Sequence, residues 1–156
     1  IMGLDMYLSA KKYMSRYFDA ADSEKINSIN EVFGVEGDED GDYGAQEVIF
    51  RVAYWRKANA IHDWFVRNCQ DGRDECQEAH VTREQLQELI ELCKQIIAKP
   101  KKAGELLPTR NGFFFGGTDY DDWYMGQLQY TVDRFEKILA DPAFAKGVDF
   151  YYQSSW

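Results

Sequence analysis

Along this chain of 156 residues the spacing of apolar side chains switches repeatedly between two and about 3.6, so strands and helices must share one core. Leu4, Met6 and Leu8 alternate with Asp5, Tyr7 and Ser9, the pattern of a half-buried strand. From Val48 the period is two again, with Val48, Phe50, Val52 and Tyr54 on one face and Ile49, Arg51 and Ala53 on the other. Val148 to Tyr152 predicts a last strand, and Phe113, Phe114 and Phe115 a short one inside the loop from Pro108 to Gly117. Helical spacing appears in four places. Ser23 caps a short helix carrying Ile26, Ile29 and Phe33 and closed by Gly34. Ala58, Ile61, Phe65 and Cys69 predict a helix over about 56–68, and Thr82 with Gln85 forms a capping box ahead of Leu86, Leu89, Ile90, Cys93 and Ile97. Thr118 caps a long helix whose stripe is Leu128, Val132, Phe135 and Leu139, ended by Asp141-Pro142.

These strands are too few and too unevenly spaced for a doubly wound sheet. The expected fold is therefore α+β, a small mostly antiparallel sheet with about four helices packed on one side, as a single domain over residues 1–156. Leu86, Leu89, Leu128 and Phe135 are expected to be buried against that sheet.

The charge balance narrows the partners. Asp and Glu number 27 against 18 Lys and Arg, a formal charge of −9. Such a surface repels phosphate backbones and anionic membranes, so neither nucleic acid nor a membrane is expected as a direct partner, whereas a basic protein surface is favoured. Cys69, Cys76 and Cys93 are odd in number and lack a disulfide framework spacing, which points to reduced thiols and the cytoplasm. No stretch is apolar for long enough to span a bilayer. Aromatic residues make up 15% of the chain, enough that some are expected to face a partner or ligand.

Several groupings invite chemistry and then fail a spacing test. Asp38, Asp40 and Asp42 start like a calcium loop, but Tyr43 stands where the turn needs Gly and Ile49 where a closing Glu is required. Cys69, Cys76, His80 and Cys93 lack the tight knuckle of a structural zinc site, so no metal or cofactor is expected. Asp119, Asp121 and Asp122 sit in a first helical turn, where the helix dipole already favours carboxylates; a small hydrolase using Asp119 and Asp121 is the third functional reading. The junction of strand and helix is more suggestive. Trp55, Arg56, Lys57 and His62 bring rings and cationic donors together, and the loop to Thr118 adds Phe114, with Tyr120 and Trp123 just beyond. Arg56 would supply charge-assisted contacts to an anionic ligand, and Trp55, Phe114, Tyr120 or Trp123 would stack on a base. His62 ranks below Arg56 because it lies almost two turns further along the helix.

Four segments carry a resemblance: Met2 to Leu8 (MGLDMYL), Tyr54 to His62 (YWRKANAIH), Gly112 to Trp123 (GFFFGGTDYDDW) and Asp149 to Trp156 (DFYYQSSW). In these the chain resembles a family of small bacteriophage and prophage proteins. The resemblance implies a phage origin and little about chemistry; for a phage protein of this size, acidic and without a catalytic constellation, the expected role is that of a non-enzymatic accessory in the cytoplasm of a bacterial host, interfering with host defence by binding and sequestering a component. A nucleotide-derived signal is the first expected target. The alternative is an acidic inhibitor docking on a basic host protein that handles nucleic acid, such as a CRISPR effector or nuclease. Either is compatible with an oligomer.

Overall fold

The computed structural model describes residues 3–112 and 114–156. The elements run β1 (Asp5–Tyr13), α1 (Ala20–Phe33), β2 (Glu47–Arg56), α2 (Asn59–Cys69), β3 (Ala79–Val81), α3 (Arg83–Ala98), α4 (Ala103–Leu106), α5 (Asp122–Ala140) and β4 (Asp149–Ser155). The four strands form one antiparallel sheet in the order β2-β1-β4-β3, an α+β fold. The strands expected at Leu4, Val48 and Phe150 do share this sheet. β3 was not foreseen, since three residues are too short to display a period; it pairs with β4, Val81 opposite Phe150 and Ala79 opposite Tyr152.

Alternation places the core on one face. Leu4, Met6, Leu8 and Ala10 of β1 and Phe150 and Tyr152 of β4 are buried with Ile61 and Phe65 of α2, Leu86, Leu89 and Ile90 of α3, and Leu128 and Phe135 of α5. β2 departs from the expected two faces. Met14 N donates to Gln46 O and Lys57 N to Leu4 O, so β2 spans eleven steps where β1 spans ten. One extra residue breaks strict alternation, and Val52 and Ala53 are buried in succession while Phe50 and Tyr54 are exposed.

Caps explain where helices begin. In α3, Thr82 Oγ1 accepts from Gln85 N at 3.0 Å and Gln85 Oε1 accepts from Thr82 N at 2.9 Å, the box read from the sequence. α5 starts at Asp122 and not after Thr118, because the Asp121 carboxylate accepts from Tyr124 N at 3.0 Å while the Thr118 carbonyl accepts from Thr109 Oγ1. Likewise Asp19, not Ser23, caps α1 by accepting from Ala21 N at 2.9 Å, and Gly34, at φ 69°, closes it. In place of the strand expected at Phe113 to Phe115, Phe114 and Phe115 occupy a turn in which Phe115 N donates to Gly112 O; Phe113 lies outside the described residues.

By contacts the chain divides into two compact units, residues 1–10 with 51–156, and residues 11–50. The larger holds the core just described. In the smaller, Asn30 of α1 is buried and its Oδ1 accepts from Ala45 N at 2.8 Å, which ties the acidic loop to the helix.

Candidate functional site

The seven residues singled out at the strand-helix junction separate in the fold. Trp55 is a core residue, its indole N–H donating to Thr131 Oγ1 at 2.9 Å and its ring packed against Phe65 and Phe135, so it offers no free face for stacking. His62 is fully buried. Its Nε2 donates to Asp74 Oδ2 at 2.9 Å, because a carboxylate only accepts, which leaves Nδ1 to accept from the Tyr152 hydroxyl at 2.6 Å. Lys57 takes the left-handed conformation at φ 55°, and its stem lies against Gly116, where an added Cβ would stand 3.0 Å from Lys57 Cβ. Phe114 is half-buried, its carbonyl accepting from Leu4 N. Tyr120 is exposed, set edge-on to Tyr124. Phe115 and Gly117 are held by Asn59, whose amide donates to Phe115 O and Gly117 O.

Arg56 and Trp123 are brought together. With Tyr54, the buried Trp55, Asp122, Gly126, Gln127 and Tyr130 they line a mostly apolar cleft of about 370 Å³ beside the first turns of α5. Arg56 is not a free cation there. Its Nη1 bonds Asp5 Oδ1 at 3.1 Å, and Asp5 also accepts from the Tyr54 hydroxyl. The bond to Asp5 pushes the Tyr54 phenol above its ordinary range.

A second surface was not legible in the spacing. Among the described residues thirteen large apolar side chains are exposed, and nine lie within residues 11–50, led by Phe18 at 89%, Val32 at 79%, Tyr17 at 78% and Phe33 at 77%. The same 40 residues carry ten carboxylates against four Lys and Arg, −6 of the chain's −9. A groove of about 870 Å³ runs over this unit, with Tyr13, Ile29, Phe33 and Ile49 in its walls and Asp22, Glu24 and Glu47 along it. Only a contact map distinguishes a helical stripe that meets a core from one that does not, and α1 buries just Ile26 and Asn30.

Burial pushes the Cys69 and Cys93 thiols up to about 12, with Glu88 adding to the effect at Cys69, so neither supplies a thiolate at neutral pH. Among the described residues no three His, Cys, Asp or Glu side chains converge as a metal site. Asp121 is occupied as a helix cap, and the Asp38 carboxylate accepts from Tyr43 N within its own loop. No helix among the described residues is long and apolar enough to cross a membrane.

No family model, curated protein or solved structure matches the chain.

Proposed function

We propose that the chain is a non-enzymatic binding protein that seats residues 11–50 on a basic protein surface with an apolar centre. The observation that carries this reading is the coincidence, in one quarter of the chain, of nine exposed large apolar side chains and two-thirds of the net charge. Exposed apolar patches of this kind, rimmed by charge, are characteristic of interaction surfaces, with aromatic anchors supplying affinity and the charged rim speeding encounter. Taken with the resemblance to phage and prophage proteins, the fitting partner is a bacterial host protein whose Lys and Arg residues normally meet nucleic acid, and covering that surface would disarm it. Capture of a nucleotide-derived signal is less favoured, because Asp5 already neutralises Arg56 and Trp55 belongs to the core.

The test places a photo-cross-linking residue at position 18 or 33, with position 101 as control, in bacterial cells carrying candidate defence systems. Covalent capture of a basic host protein from 18 and 33 but not 101 is expected. With that partner purified, Phe18→Ser and Phe33→Ser each weaken binding about tenfold or more, since truncating an interface anchor costs at least ~1–2 kcal/mol. Neutralising Asp38, Asp40 and Asp42 together slows association and flattens its salt dependence. Cross-links only to a second copy of the chain, or binding indifferent to both sets of changes, would overturn the reading.

A further inference from the structure

We infer that the cleft beside Trp123 is a separate binding site, shaped for a flat nitrogen heterocycle that is neutral or cationic and carries no phosphate. Trp123, Gly126, Gln127 and Tyr130 follow the i, i+3, i+4, i+7 spacing of one helical face, so they form a continuous strip of α5. Gly126 is the informative member. It sits inside a helix, where glycine is the least favourable residue after proline, yet its backbone is not left-handed and, among the described residues, an added Cβ would meet no atom within 4 Å beyond its own helix backbone. Neither conformation nor crowding within the chain calls for glycine there. What the missing Cβ keeps open is the floor of the cleft, which Gly126 lines.

The walls fit a ring. Trp123 is 63% exposed and Tyr54 40%, so the core does not account for either position, and both present apolar area of the kind on which heterocycles stack. A volume of about 370 Å³ lies at the low end for small-molecule sites and admits one ring system with a small substituent. Charge then selects the occupant. Arg56, the cation of the lining, is already paired with Asp5, and Asp122 lines the same cleft, so the lining holds no uncompensated cation to receive a phosphate. The Asp122 carboxylate and the negative face of the exposed Trp123 attract a cationic ring, whereas the Tyr130 face already meets the Arg134 guanidinium, 5.3 Å from its centroid. This inference rests on β2, α5 and Asp5 of β1, and stands or falls independently of docking through residues 11–50.

The probes are adenosine, N-methylnicotinamide and adenosine monophosphate, titrated into the ¹⁵N-labelled protein while the Trp123 indole and Gly126 amide signals are followed. Saturable shifts with adenosine and with the cationic N-methylnicotinamide are expected, and adenosine monophosphate should bind about tenfold more weakly than adenosine. Gly126→Ala separates binding from folding. It should raise the melting temperature by about 2–4 °C, the shift expected from a helix-interior glycine replaced in a chain of this size, while weakening ring binding at least tenfold. Trp123→Ala should abolish saturable binding. The proposal fails if no probe moves these two signals at millimolar concentration, if the nucleotide binds as tightly as the nucleoside, or if Gly126→Ala binds like the parent.

Discussion

Between pH 9 and pH 12 the protein should lose stability steeply. The Cys93 thiol is fully buried on the inner stripe of α3, and burial alone pushes it from 9.0 to about 12. In the unfolded chain the thiol ionises near its ordinary value, whereas the folded chain keeps the proton. The native state therefore binds more protons than the unfolded state throughout that window, and stability falls as pH rises. Well below 9 both states are protonated and the thiol adds no slope. A shift of three units corresponds to about 4 kcal/mol at its upper bound, a large part of the 5–15 kcal/mol that holds a typical domain together. Cys69, and the buried Tyr124 and Tyr152 phenols, which burial also pushes up, act in the same direction. Urea midpoints measured from pH 7 to pH 11 test this, and Cys93→Ala should flatten the alkaline limb. A midpoint constant to pH 11, or an unchanged limb in Cys93→Ala, would refute it.

The same residue shows what a sequence conveys well. Cys93 was placed on an apolar stripe by its spacing from Leu86, Leu89 and Ile90, and burial follows from that stripe. The sheet and the buried face of α5 were legible for the same reason, because periodicity reports which side chains need cover. Caps were read less accurately. Thr118 and Ser23 are sound cap residues, but Asp121 and Asp19 lie nearby with a stronger acceptor, and only backbone geometry decides between them. At the junction of β2 and α2, residue type suggested a pocket, yet Trp55 and His62 point into the core while Arg56 and Trp123, 67 positions apart, meet. Their meeting depends on tertiary packing that no local pattern encodes. The exposed face of residues 11–50 was hidden most completely. Ile26, Ile29 and Phe33 look like a core stripe, but in α1 only Ile26 of these three is buried.

His62→Ala should be among the most damaging single substitutions in the chain, at about 3–5 kcal/mol, because this histidine is a core residue. α2 is buried continuously from Asn59 to Val66, and His62 is 1% exposed within it. Both ring nitrogens are used, one toward Tyr152 and the other toward Asp74, which also accepts from the Trp156 indole at 3.0 Å. Tyr152 in turn stacks on Phe65 with ring centroids 4.0 Å apart, so the imidazole joins the central strand, the helix and the C-terminal residue. Removing the ring opens a cavity and strands a buried phenol hydroxyl, two penalties that add. A double-mutant cycle separates them. His62→Phe retains volume but leaves the Tyr152 hydroxyl unpartnered, and should cost ~1–3 kcal/mol; Tyr152→Phe leaves Nδ1 unpartnered and should cost a similar amount. The double variant His62→Phe, Tyr152→Phe should cost less than the sum, because the Tyr152 hydroxyl and His62 Nδ1 have both gone; the Asp74 carboxylate loses the same donor in the His62→Phe single and in the double, and it stays part-exposed and bonded to Trp156. Strict additivity of the two singles, measured by urea denaturation, would show that the pair is not coupled. Binding through residues 11–50, measured at a temperature where His62→Ala remains folded, should match the parent; its loss there would return His62 to the functional surface.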